Sequence, residues 1–125
     1  MPVVEESSGD VGHRVTLELH FPPLPADLDG VTVHVTVEDV GEADVRAPRL
    51  GHADFTGVRV PRSTACAAIA IDLPDLRGAA VPALRVHVEK AGGGRVQPGD
   101  FVNPSIVEVP PNRTGTCRID LVEVR

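Results

Sequence analysis

The feature that most constrains the fold is a run of alternating valines, V-T-V-H-V-T-V-E-D-V, from Val31 to Val40. Every second residue from Val31 to Val37 is a valine, and a threonine or histidine lies between each pair. Because successive side chains of a strand point to opposite faces, the run predicts a strand with one apolar face and one polar face. Burying four valines contributes roughly 6–12 kcal/mol, at about 1.5–3 kcal/mol each. We therefore expect the apolar face to lie inside the protein.

Similar alternation predicts further strands on both sides of this run. The segments are Arg14 to Phe21, Val45 to Val60, Thr64 to Leu73, Leu84 to Glu89, Arg95 to Val109 and Thr116 to Val124. Twelve prolines and twelve glycines punctuate the chain, which is typical of short strands joined by turns. The pattern predicts an all-β, seven-stranded antiparallel sandwich over residues 13–125, after a flexible tail in residues 1–12.

Three local expectations accompany this fold. The first predicted strand, Arg14 to Phe21, should pair antiparallel with the valine run. A short helical turn is predicted from Asp75 to Ala80. The last strand loses its alternation at Leu121-Val122, where two apolar residues are adjacent, and this indicates a bulge or burial on both faces.

Charge and composition exclude several functions. The net charge is −6, and the arginines are scattered through the sequence, whereas nucleic-acid binding needs a concentrated basic surface. No apolar run approaches the roughly 18–20 residues that span a membrane. The N-terminal residues lack the basic start and apolar middle of a signal peptide. We expect a cytoplasmic protein, or a periplasmic or extracytoplasmic one if the sequence is a piece of a longer chain.

The two cysteines are predicted to be free thiols. Cys66 is out of phase with the apolar positions of its strand and should point outward, whereas Cys117 is in phase with Ile119 and should point inward. A disulfide requires two facing Cβ atoms about 3.5–4.5 Å apart. A bulge at the start of either strand would be needed to bring the two residues face to face.

Three histidines form the candidate ligand-binding group. His20, His34 and His87 occupy outward positions of predicted strands, and Glu89 follows His87 on the same face. If the three strands are neighbours, imidazoles and carboxylates would converge on one outer surface, a combination that can bind divalent metals. Solvated side chains on separate strands are the simpler interpretation, so we predict no metal and no cofactor.

The other ionisable groups are assigned no function. His13 and His52 lie in loop-like sequence. The acidic residues of the next segment (Glu38, Asp39, Glu42 and Asp44) lack the order of a Ca²⁺-binding loop and are interpreted as a solvated strand end. We also find no motif of a nucleophile, base and orienting group, so the sequence predicts no catalytic residue.

From Leu24 onward the chain resembles the YbaY-like lipoproteins and the related pilotins of type III secretion. The matching positions are Leu24-Pro25-Ala26-Asp27, the valine run, Asp39 to Asp44, Ile71 to Pro74 and Leu84 to Glu89. The resemblance implies a small immunoglobulin-like or prealbumin-like β-sandwich without catalytic residues. The sequence departs from the family pattern in having Gly41 where serine is usual and in lacking a lipid-modified cysteine near its start.

These observations predict a non-catalytic β-sandwich module. Its expected partner is another protein or a second copy of the chain, in an assembly or chaperone-like role, because a sandwich exposes sheet edges to which a partner strand can add. The alternative is a small enzyme or a carrier of a small-molecule ligand. A hollow between the sheets, or a site built from the outer histidines and Glu89, would favour that alternative.

Overall fold

The computed structural model describes residues 14–41, 47–90, 92–110 and 114–125. Within these ranges the chain forms nine strands and no helix. The strands are β1 (Arg14–His20), β2 (Leu28–Asp39), β3 (Arg49–Val60), β4 (Cys66–Asp72), β5 (Pro82–Glu89), β6 (Phe101–Val102), β7 (Val107–Glu108), β8 (Gly115–Asp120) and β9 (Val122–Glu123). The predicted N-terminal tail, residues 1–12, lies outside the described residues. Among the described residues there is no helix that could span a membrane.

The strands form two sheets in a sandwich-like arrangement. The smaller sheet has the order β4-β1-β8, and the larger has the order β3-β2-β5-β6-β9, with β7 paired to β5. The all-β sandwich is confirmed. The strand number of seven is wrong, because the predicted strands at Arg95–Val109 and Thr116–Val124 are each divided in two.

Leu121 explains the division of the last predicted strand. Its backbone N–H donates to the carbonyl of His20 at 2.8 Å, and its side chain is 4% exposed. The next residue, Val122, belongs to the larger sheet and pairs with Val102. The loss of alternation at these two apolar residues therefore marks the point where the chain passes from one sheet to the other.

The predicted pairing of β1 with β2 is wrong. β1 pairs antiparallel with β4 and parallel with β8, whereas β2 pairs antiparallel with β3 and β5. The sandwich is therefore not purely antiparallel. Pro22 and Pro23 interrupt the chain directly after β1, and proline cannot continue a strand ladder. The following residues lead the chain into the other sheet instead of returning it as a hairpin.

The valines of β2 form the centre of the core, as the alternation predicts. Val31, Val33, Val35 and Val37 are between 0% and 4% exposed. They pack in one cluster with apolar residues of the smaller sheet: Val15, Leu17, Leu19, Ile71 and Ile119. Outward residues of β2 are half-buried or exposed. The predicted choice of buried face for β2 is confirmed.

The segment predicted as a helical turn, Asp75 to Ala80, is an irregular turn. Its backbone is held by a hydrogen bond from the Ala79 N–H to the Leu76 carbonyl at 3.1 Å. Leu76 is 3% exposed and packs in the core. A single buried leucine fixes this segment, so the apolar stripe that would stabilise a helix is absent from it.

The cysteines are free thiols, as predicted. Cys66 lies on β4 and Cys117 on β8, and β1 lies between these two strands. Neighbouring strands are about 4.8 Å apart, so two strands separated by a third are roughly 9.5 Å apart, beyond the reach of a disulfide. Cys117 packs against the core, and this burial raises the pKa of its thiol.

Asn103 completes the hydrogen bonding of β5 between β6 and β7. Its Oδ1 accepts from the Val86 N–H at 2.8 Å, and its Nδ2 donates to the Leu84 carbonyl at 3.0 Å. Backbone groups of Val86 and Leu84 therefore point away from β2. It follows that Val35 and Val86, which face each other across β2 and β5, form a non-hydrogen-bonded pair.

This register predicts opposite outcomes for two adjacent substitutions. Val35→Asp should prevent folding, because it places an unpaired carboxylate in the core. Thr36→Asp should cost little, because Thr36 is on the outer face. Urea unfolding measures both, and equal midpoints for the two variants would show that the assigned faces are wrong.

Candidate functional site

Polar side chains from three neighbouring strands meet on the outer face of the larger sheet. His34 on β2 lies directly opposite Asp54 on β3 and opposite His87 on β5. His52 precedes Asp54 by two positions, so the two side chains share a face. We call the set His52, Asp54, His34, His87, Glu89 and Asp100 the histidine–carboxylate row.

Asp54 joins the two histidines at one end of the row. Its Oδ1 lies 2.6 Å from Nδ1 of His34 and 2.7 Å from Nε2 of His52. The second ring nitrogen of each histidine also has a partner: Nε2 of His34 lies 3.2 Å from Oε1 of Glu89, and Nδ1 of His52 lies 3.2 Å from Oγ1 of Thr36. All four ring nitrogens are therefore hydrogen-bonded.

Asp100 anchors the other end of the row. It is 2% exposed, and its carboxylate accepts from Nε2 of His87 at 2.8 Å and from the backbone N–H groups of Lys90 and Gln97 at 3.1 and 3.0 Å. The His34 and His87 rings are stacked with their centroids 5.3 Å apart. Asp100 thus holds the end of β5 and the following loop against His87.

Glu89 is covered by the same loop. Its Oε2 accepts from the backbone N–H of Gly94, and its side chain is 7% exposed. The sequence places Glu89 on the outer face, and that position is correct. Its burial comes from the glycine-rich loop that folds over the end of β5, which strand alternation does not predict.

The pKa values follow from these contacts. Partial burial lowers the pKa of His34, but the hydrogen bonds with Asp54 and Glu89 outweigh it, so the pKa is raised overall. The hydrogen bond with His34 lowers the pKa of Asp54. Burial raises the pKa of Asp100, but hydrogen bonds from His87 and two backbone amides outweigh this, and the result is a lowered pKa. Both aspartates are therefore charged at neutral pH.

The structure brings together three of the four predicted site residues. His34, His87 and Glu89 belong to the row, whereas His20 lies on β1 in the smaller sheet and pairs with Glu18 at 2.6 Å. The convergence expected for His20 is therefore wrong, because it depended on β1 being a neighbour of β2.

Sequence reasoning missed His52, Asp54 and Asp100. The spacing H-A-D at residues 52–54 was a usable signal, because residues two apart on a strand share a face. Gly51 and Gly57 hide this signal, because they indicate an irregular segment. Asp100 lies in a turn next to Gly99, and no local pattern connects it to His87.

The predicted acidic strand end has a structural role where it is described. Asp39 accepts from the backbone N–H groups of Gly41, Ala80 and Val81, each at 3.0 Å. These bonds, with Val81 contributing most, lower the pKa of Asp39. Glu38 pairs with Arg85 at 3.1 Å. The other two residues of this group, Glu42 and Asp44, lie outside the described residues, as does His13.

Comparison with known proteins gives a match in structure and none in sequence. No protein-family model matches the chain, and no curated protein does. Its fold is similar to the structure of an alternative pilotin from the type II secretion system of Vibrio cholerae, with a TM-score of 0.63 and 22% sequence identity. The alignment covers 90% of this chain and 96% of the pilotin. The chain therefore has a pilotin-like fold.

Removing the charge of Asp100 should destabilise the protein. We expect Asp100→Asn to lower the free energy of unfolding by roughly 1–3 kcal/mol at neutral pH, because an amide cannot accept the three hydrogen bonds equally well. Since the folded-state pKa of Asp100 is lowered, its contribution is present above the unfolded pKa, near 3.9, and is lost as the pH falls through the folded value.

Urea unfolding from neutral to acidic pH measures this difference. Asp120→Asn is the matched control, because Asp120 is 70% exposed and pairs with Arg118 on the surface, and such pairs contribute about 0–1 kcal/mol. If the difference in the free energy of unfolding between wild type and Asp100→Asn does not shrink in acid, the stabilisation does not come from the charged form of Asp100.

Proposed function

We propose that this protein is a non-catalytic module that binds another protein by adding a strand of the partner to the free edge of β8. The observation that carries the proposal is the geometry of that edge. All six residues of β8 pair with β1 in an unbroken parallel register, from Gly115 opposite Val15 to Asp120 opposite His20. No other described strand pairs with β8.

The hydrogen bonds of β8 define which backbone groups are free to bind. Leu121 follows β8 directly and donates its N–H to His20 on β1. Because the backbone groups of successive residues in a strand point alternately to its two sides, the N–H and carbonyl groups of Cys117 and Ile119 also point toward β1. The N–H and carbonyl groups of Thr116, Arg118 and Asp120 then point to the open side, where an extended segment of a partner could pair with them.

The β3 edge of the larger sheet is less suited to strand addition. β3 forms the edge of the larger sheet, but its register with β2 shifts on both sides of the segment from Gly51 to Phe55. Gly57 has a φ of 65° within this strand. Bulges of this kind twist an edge and protect it from pairing with other chains.

The fold supports a protein partner, because the solved structure that it resembles is a pilotin of a type II secretion system. The ligand-carrier alternative rests on a hollow between the sheets or on a site at the outer histidines and Glu89. The first is not supported at the centre of the sandwich, where apolar side chains of both sheets, among them Leu17, Val33 and Val86, are fully buried.

A proline substitution tests the edge directly. Arg118→Pro should abolish partner binding while leaving the fold intact, because it removes an outward N–H that a partner strand would need. Arg118→Ala is the control, since it removes the side chain and its pairing with Asp120 but keeps the backbone donor. A photoreactive amino acid at Thr116, used in cells that produce the protein naturally, would capture the partner for identification by mass spectrometry.

We expect one major cross-linked protein with wild type and with Arg118→Ala, and none with a folded Arg118→Pro variant. If Arg118→Pro cross-links as wild type does, β8 is not the binding edge. If His34→Ala removes the cross-link from a folded protein, the outer histidines are required and the alternative function is favoured.

A further inference from the structure

Three side chains at the β2–β3 end of the histidine–carboxylate row converge as metal ligands do. Nδ1 of His34, Nε2 of His52 and a carboxylate oxygen of Asp54 all lie within 4.8 Å of one another. Two imidazoles and a carboxylate are a ligand set typical of Zn²⁺ and of other divalent transition metals. We propose that His34, His52 and Asp54 form a binding site for a divalent transition metal of the Zn²⁺ class.

The hydrogen bonds around the two histidines match those of metal sites. A histidine ligand usually donates its other ring N–H to a fixed acceptor, which sets the tautomer and the ring orientation. Here Nε2 of His34 is held by Oε1 of Glu89, and Nδ1 of His52 is held by the hydroxyl of Thr36. In the metal-free protein the near nitrogens donate to the Asp54 carboxylate. A bound metal would replace those two protons, and the far nitrogens would then donate to Glu89 and Thr36, whose oxygens are already in place to accept.

The backbone supports the three ligands on rigid elements. From Val33 opposite Phe55 to Val37 opposite Gly51, the pairing of β2 and β3 runs without a register shift. His34 faces Asp54 directly, and Thr36 faces His52 in the same way. Two ligands, one from each strand, are thus fixed by direct pairing, and the third is two residues along β3.

The site also leaves room for a metal and for solvent ligands. The side chains are 22% exposed for His34, 35% for His52 and 48% for Asp54. Ligand atoms around a tetrahedral Zn²⁺ are roughly 3.3 Å apart, given bonds of about 2.0–2.1 Å. The present separations of 2.6 and 2.7 Å require an opening of less than about 1 Å. Water would complete the coordination on the exposed side.

This inference replaces the sequence-based expectation that no metal is held. That expectation treated His34 as one of several separate, solvated histidines and gave His52 no role. The proposed site uses neither His20 nor His87. It is independent of the strand-addition proposal, because it is on the outer face of the larger sheet whereas β8 belongs to the smaller one.

Calorimetric titration of the tag-free protein with Zn²⁺ tests the site. We expect one Zn²⁺ per chain, with Asp54→Asn and His52→Ala each weakening the affinity at least tenfold. Thr36→Val should weaken it about tenfold while leaving all three ligands in place, since loss of a supporting hydrogen bond typically costs 10–100-fold. Circular dichroism confirms that each variant is folded.

His20→Ala is the matched control, because His20 also pairs with a carboxylate but on the other sheet. Its Zn²⁺ affinity should equal that of wild type. Titration with Co²⁺ adds a spectroscopic measurement, since its visible absorption reports ligand number and should change in His52→Ala but not in His20→Ala. The proposal is overturned if wild type binds no Zn²⁺, or if the folded Asp54→Asn and His52→Ala variants bind it as tightly as wild type does.

Discussion

The pairing of β2 with its two neighbours is the constraint on which the rest of the structure depends. Its inward valines fill the centre of the core. Its outward side chains lie beside those of β3 and β5 on the outer face of the larger sheet. A shift of one residue would exchange the two faces, placing valines in water and His34 in the core. Such a shift would remove most of the apolar burial of β2, so packing energy selects a single register.

The same register creates the polar site on the outer face. With the valines inside, His34 must face outward, and the partners opposite it are Asp54 and His87. Glu89 and Asp100 are then fixed by the loop that follows β5, through the backbone N–H groups of Gly94, Lys90 and Gln97. The polar residues of this face thus form two hydrogen-bonded groups that meet where the rings of His34 and His87 stack, which gives the surface a chemistry that isolated solvated histidines would lack.

Features that depend on local alternation could be predicted from the sequence, and features that depend on strand order could not. Val31 to Val37 indicated a strand and its buried face, and His34, His87 and Glu89 were correctly placed on an outer face. The position of β1 was missed because Pro22 and Pro23 show where the strand ends but not which sheet the chain enters next. His20 was misplaced for the same reason. Asp100 joins the site across a turn, so only the folded chain reveals it.

The most direct test of this account is a nuclear Overhauser measurement across β2 and β5. Val35 and Val86 are a non-hydrogen-bonded antiparallel pair, in which the Cα atoms approach to about 4.5 Å and the Hα atoms are close. This pairing predicts a strong Hα–Hα signal between Val35 and Val86. A strong signal from Val35 to Arg85 or His87 instead would mean a shifted register, and would contradict both the core packing and the arrangement of the histidine–carboxylate row.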